Sequence, residues 1–167
     1  LESLNQAKWL NEIAGDMGKK PDVLLRVQLD WESGESVLGG NEITPFGIDP
    51  DQWLNLNTAD YPHLNFQGYH VFQWGNILEN SELEEIWDKI TIELKDLSAK
   101  MKIPLNVVDL GGGLGIPYQD QTKRLDFKDV NATLMKIKEK HDLDKMRLLP
   151  ITGYRQKNRP RERGFST

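Results

Sequence analysis

The sequence contains no cysteine, which rules out a disulfide framework and any thiolate-bound metal and permits a reducing compartment; the cytoplasm is the expected location. It has no apolar stretch approaching the roughly 20 residues that a helix needs to cross a bilayer, so no membrane partner is expected. Positive charge is not in excess either. Twenty-one Lys and Arg stand against 26 Asp and Glu, a formal net charge of -5, and duplex binding needs a basic face; nucleic acid is therefore not expected as a partner. No histidines or carboxylates recur at a metal-ligand spacing, and no Ser-His-Asp constellation is suggested, so no metal site and no catalytic triad are assigned. Leu1 to Gln6 lack the basic-then-apolar order of a signal peptide. The chain opens without Met inside a helical pattern, and we expect it to be part of a longer protein.

What remains is a soluble globular composition, with 38% apolar and 28% charged residues of mixed sign, unlike that of a disordered chain. At 167 residues one domain is expected, large enough to remove roughly 70% of the unfolded surface from water. Apolar residues at Leu4, Ala7, Leu10, Ile13, Ala14 and Met17 carry helical spacing, broken by Gly18 and Pro21. Val23 to Leu29 reads as a buried strand. A turn-rich stretch with Gly34, Gly39, Gly40, Asn41, Pro45 and Gly47 follows. A short helix is expected within Asp49 to Leu56 and a second strand over Phe66 to Phe72. The clearest helix runs from Asn80 to Lys102, with Leu83, Ile86, Trp87, Ile90, Leu94, Leu97 and Met101 on one face and Ser81 and Glu84 spaced as a capping box. Its acidic residues Glu82, Glu84, Glu85 and Asp88 read as a solvated face. Leu105 to Leu110 is a third strand. Asp126 caps a helix over Phe127 to Lys140, with Phe127, Val130, Leu134 and Ile137 inward, and Met146 to Leu149 is a fourth strand. This alternation implies an α/β fold with a parallel sheet, either an open doubly wound sheet or part of an eight-stranded barrel. Residues 151–167 carry Arg155, Lys157, Arg159, Arg161 and Arg163 with almost no apolar residue, so we divide the chain at 150 and expect a solvated, disordered or loosely attached tail.

Two runs carry chemistry. In VVDLGGGLGIPY (107–118) an apolar strand ends in Gly111, Gly112 and Gly113. Three residues without β-carbons let main-chain amides converge on an anion, usually phosphate, at the end of a parallel strand where α/β sheets bind ligands; a tight turn needing positive φ is the plainer alternative. The run lacks both the dinucleotide fingerprint and the Walker loop, which disfavours a nucleotide. In GYHVFQWGNIL (68–78), Gly68, His70 and Phe72 share one face of a strand, presenting flat groups suited to a planar ligand. His70 alone also fits a satisfied core histidine, and His63 and His141 make no metal set with it.

In order and spacing these runs resemble the fold-type III pyridoxal-phosphate decarboxylases, the ornithine, diaminopimelate and arginine decarboxylase group, over about residues 1–150. DVLLRVQL (22–29) is similar to that family's LRVNP strand, GGNEITPFGID (39–49) to its FGID segment with Pro45 in place of a basic residue, NFQGYHVFQWGNIL (65–78) to its GxHxxxGSQ strand, and DLGGGLGIPY (109–118) to its DIGGGFG loop. The resemblance implies a partial TIM-like (β/α)8 barrel of the alanine-racemase type with pyridoxal 5'-phosphate as cofactor. Gly111, Gly112 and Gly113 would hold its phosphate, His70 and Phe72 would lie against its ring, and Gly75 would stand where a Ser or Thr commonly helps bind phosphate, with Trp74 in place of a Gly. It implies a homodimer and an amino-acid substrate, a basic or diamino acid such as ornithine, lysine or diaminopimelate.

The family's Schiff-base lysine lies on an earlier strand than any present here. RLLPITGYRQKNRPRERG (147–164) does not match its EPGR segment, which would fit a frame shift or deletion near Leu149, and no segment here resembles the family's carboxyl-terminal β-domain. No residue of this chain is therefore assigned a catalytic role, and the chain is expected to be inactive alone, marginally stable and self-associating. A non-catalytic phosphate- or pyridoxal-phosphate-binding protein, or a subunit-interaction protein built on a degenerate barrel, is the alternative.

Overall fold

The structure, a computed structural model, describes residues 1–30, 45–115, 117 and 124–143, and the backbone of 147–150. The glycine-rich stretch 31–44 and the tail 151–167 lie outside the described residues. Helix α1 spans Leu4–Asp16 and β1 Asp22–Arg26; α2 covers Pro50–Trp53, β2 Asn65–His70, α3 Asn80–Met101, β3 Val107–Gly111, α4 Phe127–Lys140 and β4 Arg147–Pro150.

The four strands form one sheet in the order β1-β2-β3-β4, every neighbouring pair parallel. A doubly wound sheet reverses its strand order; no reversal occurs among the described strands. The fold is α/β with parallel strands alternating with helices, and alternate strand residues divide its two faces. Val23, Leu25, Tyr69, Val108 and Leu110 are buried in one cluster with Ala7 of α1, with Leu83, Trp87, Ile90 and Leu94 of α3, and with Val130 and Ile137 of α4. The intervening positions Leu24, Arg26 and His70 are only part-buried, as strand periodicity requires of the opposite face.

Local signals act largely as the sequence implies. Ser3 caps α1 by accepting from the Gln6 N–H, Asp49 caps α2 through that of Gln52, and Asp126 caps α4 through that of Lys128. Trp53 of α2 is fully buried and donates its indole N–H to the Arg26 carbonyl at 2.9 Å, which pins the PFGID segment beneath the end of β1.

Three expectations are corrected. Helix α3 starts earlier than the capping box requires: its N-cap is Glu79, without a side-chain cap bond, so Ser81 sits inside the first turn. The start of α3 is tied instead by Asn80, whose amide donates to Thr133 Oγ1 of α4 at 2.6 Å. Phe127 is 62% exposed, and Thr133 takes an inward place on α4 beside Val130 and Ile137. On α1 the buried stripe is Ala7 and Ala14, while Ile13 and Met17 are exposed; small residues let this helix lie close to the sheet.

The acidic face of α3 is also less solvated than its composition suggests. Glu84 pairs with Lys136, and Asp88 meets Lys140 Nζ at 2.8 Å and His141 Nε2 at 2.6 Å, all across the α3–α4 seam. The hydrogen bond from Lys140, then that from His141, holds the Asp88 carboxyl below its ordinary range.

Trp87 is 2% exposed, and Trp87→Ala is expected to cost about 3–5 kcal/mol, read as a lowered urea midpoint. For Asp88 the folded carboxyl titrates below the unfolded one. Its contribution is thus fully present above the unfolded value of about pH 4 and is lost as pH falls through the folded value. Asp88→Asn should lower stability by about 1 kcal/mol or less at neutral pH, and its urea midpoint should converge on that of the unmodified chain in acid.

Candidate functional site

Parallel pairing sets the site. The register matches Arg26 of β1 with His70 of β2, and His70 with Asp109 of β3. A cation, an imidazole and a carboxylate therefore stand in one row across three neighbouring strands. Asp109 is 6% exposed. One of its oxygens, Oδ2, lies 3.1 Å from His70 Nδ1, off the line a hydrogen bond requires. The other, Oδ1, accepts from the Gly111 N–H at 2.9 Å. Arg26 donates to Glu2 Oε1 at 2.9 Å and stacks over Phe46 with its guanidinium carbon 5.0 Å from the ring centre, a cation–π distance.

Beyond the row, the main chains after β2 and β3 continue side by side. The Val71 N–H donates to the Asp109 carbonyl, the Ile77 N–H to the Gly113 carbonyl, and the Gly115 N–H returns to the Ile77 carbonyl. The approach is too close for side chains. Gly111 has φ +70°, and a β-carbon there would stand 2.7 Å from both Phe72 Cδ2 and the Val71 carbonyl oxygen. Gly113 has φ +84°, and its β-carbon would stand 2.5 Å from the Trp74 carbonyl oxygen and 3.5 Å from Gly75 Cα. Left-handed φ alone favours glycine; here the neighbouring backbone forbids anything larger.

The structure thus brings the sequence-predicted residues together. Phe72, two residues past the end of β2, packs against Gly111; Gly75 flanks Gly113; His70 faces Asp109. The Gly111 amide is turned to Asp109, so among the three glycines those of Gly112 and Gly113 are the candidates for an external anion. Among the described residues no group of three His, Asp or Glu could hold a metal ion.

Sequence reasoning missed three residues. In the sequence Arg26 stands out only as part of a strand. Asp109 passes as the start of the glycine motif, although a carboxylate inside an apolar strand is itself a signal. Gln73 is buried and clamps the chain leaving β2 to the chain leaving β1, its Oε1 accepting from the Leu29 N–H and its Nε2 donating to the Leu29 carbonyl, both at 2.7 Å. Tyr69 points to the helical face instead. It is fully buried, and burial pushes its phenol well above the ordinary range, so it stays neutral and takes no part in the site. An open cleft of about 950 Å³ between the end of β1, α2 and α3 touches none of His70, Phe72, Gly75 or Gly111–Gly113 and is not this site.

With this geometry, the chain matches over residues 3–149 the family described as pyridoxal-dependent decarboxylase, pyridoxal binding domain. The chain belongs to that family. It is 27% identical over 148 residues to a diaminopimelate decarboxylase of Haemophilus influenzae, covering 86% of this chain and 35% of that protein. It is 31% identical over 124 residues to a diaminopimelate decarboxylase of Zymomonas mobilis, covering 72% and 29%. In fold it superposes on the diaminopimelate decarboxylase of Methanocaldococcus jannaschii with a TM-score of 0.73 at 22% identity, covering 90% of this chain and 37% of that one. The chain therefore spans about a third of the length of these relatives and corresponds to part of their barrel domain. No described helix is long and apolar enough to cross a membrane.

Two substitutions test the geometry. Gly113→Ala meets both a left-handed φ and the Trp74 carbonyl, and should destabilise the chain by about 1–3 kcal/mol or more, measured by urea titration. Gln73→Leu removes both bonds to Leu29 and leaves a buried N–H and C=O unpaired, an expected loss of about 1–3 kcal/mol for each group, with faster amide exchange at Leu29.

Proposed function

We propose that this chain forms the phosphate-gripping part of a pyridoxal-phosphate-binding (β/α)8 barrel of the alanine-racemase type. The full enzyme would be an amino-acid carboxy-lyase for a basic or diamino acid such as ornithine, lysine or diaminopimelate, active as a homodimer. One observation carries this reading: the ends of β2 and β3 meet at a turn that excludes side chains at Gly111 and Gly113, the form of a cradle for a phosphoryl group. The family, and relatives named diaminopimelate decarboxylase, support the chemical class.

The residues present fit the phosphate end of that cofactor. The amides of Gly112 and Gly113 would hold it, with Gly75 beside them leaving room for its oxygens. His70 and Phe72 would border the ring and exclude water from it. Arg26 would keep the row beneath the ring electrostatically balanced. When bound, pyridoxal phosphate supplies the electron sink for cleavage of the carboxylate carbon–carbon bond. None of β1–β4 carries a lysine, so the amine that would join this cofactor covalently is assigned to none of these strands. We therefore assign binding and orientation to this chain, and no catalytic residue.

Equilibrium dialysis with pyridoxal phosphate and with phosphate-free pyridoxal tests this reading. If the glycine turn grips phosphate, the phosphorylated form should bind at least ~10-fold more tightly, the effect of one or two charge-assisted hydrogen bonds, and inorganic phosphate should compete. Equal affinity for the two forms would overturn the assignment. The chain alone should not decarboxylate diaminopimelate, lysine or ornithine faster than free pyridoxal phosphate does, measured as released carbon dioxide.

A further inference from the structure

Asp109 stands where a ring-bearing strand and the glycine turn are closest. Its two oxygens face different elements: Oδ1 accepts from the Gly111 N–H at 2.9 Å, and Oδ2 lies 3.1 Å from His70 Nδ1. Buried at 6% exposure, the carboxylate has little water to satisfy it, and a buried charge without partners is costly. The His70 side chain is 19% exposed, and its Nδ1 is buried without a hydrogen bond of proper geometry. A contact that is short but misaligned is of the kind that tightens when a ligand binds.

We propose that Asp109 is a positioning residue that couples the His70 ring to the glycine turn. Through Oδ2 it keeps the imidazole proton on Nδ1, which leaves Nε2 as an acceptor and fixes the ring plane. Through Oδ1 it holds the first amide of the turn, so that the amides of Gly112 and Gly113 are presented together. The orientation of the ring and the shape of the anion cradle then depend on one side chain. A carboxylate beside an imidazole sets the tautomer in this way whatever the fold. In its consequence for the cofactor this inference rests on the reading under Proposed function; in its consequence for His70 it does not.

The test is Asp109→Asn in the full chain, followed by long-range ¹H–¹⁵N NMR of His70 at about pH 8, where an ordinary imidazole is neutral. An asparagine oxygen still accepts from Gly111, but its NH₂ replaces Oδ2 and donates to Nδ1. The expected result is a switch of the proton from Nδ1 in the unmodified chain to Nε2 in the variant. The same tautomer in both overturns the coupling. Dialysis gives the second readout. Asp109→Asn should weaken pyridoxal phosphate by ~3–10-fold, the scale of one misdirected hydrogen bond, without lowering inorganic phosphate affinity, because the turn keeps its amides and loses a nearby negative charge. An equal loss for both ligands, or no loss for either, overturns the proposal. If the unmodified chain binds no pyridoxal phosphate, the functional reading fails while the tautomer result still decides the coupling. Should the variant not fold, His70→Gln serves: freed of the ring, Asp109 should release Gly111, whose amide exchange should quicken severalfold, and unchanged exchange overturns the coupling.

Discussion

The structure depends on one close approach, that of the main chain leaving β2 to the main chain leaving β3. Parallel strands lie roughly 4.8 Å apart, and beyond their ends chains normally diverge into loops. Here they stay together from Val71 to Gly115, held by alternating main-chain hydrogen bonds, and the space between them admits no β-carbon at Gly111 or Gly113. Everything else at the site follows from this. Phe72 can cover Gly111 because nothing projects from it. Gly75 can flank Gly113 for the same reason. The row of Arg26, His70 and Asp109 lies just before the point where the strands would otherwise part.

That approach was legible because it is written in residue type. Three successive glycines after an apolar strand have few explanations, and the segments before them sit at the intervals that a strand–helix–strand repeat imposes. The helices were equally plain. Leu83, Trp87, Ile90, Leu94 and Leu97 fall on one side of α3 and are all buried, because a long amphipathic helix must place that stripe against the sheet. Asp126 and Asp49 cap the helices they precede, since a side-chain oxygen at the first free amides is a local matter that needs no tertiary knowledge.

What escaped the sequence is what depends on neighbours. Ser81 and Glu84 have capping spacing, yet α3 begins at Asn80, because Asn80 finds Thr133 on α4; a contact between residues far apart in the chain outweighs a local rule. Phe127 has the spacing of an inward residue but lies at the first position of its helix, where the turn has not yet reached the sheet. Gln73 looks polar and unremarked within GYHVFQWG, and only the fold shows that it closes on both main-chain groups of Leu29. Arg26 and Asp109 acquire meaning only through register, which strand sequences do not state. A shift of one residue in either pairing would turn one of them to the helical face.

The electrostatics of the row explain why such a carboxylate is tolerable there. An anion cradle two residues from an aspartate is opposed by that aspartate's charge unless its oxygens are turned to donors elsewhere. The two oxygens of Asp109 face the Gly111 amide and His70, and Arg26 stands in the same row on β1. The carboxylate is thus engaged in shaping the turn, while the guanidinium of Arg26 is held by Glu2 and Phe46. An aliphatic residue at 109 would remove the repulsion but also the acceptor for the Gly111 amide, and the turn would lose the contact that closes it. In the proposed anion site, the geometry that the carboxylate enforces would have to outweigh the field it contributes.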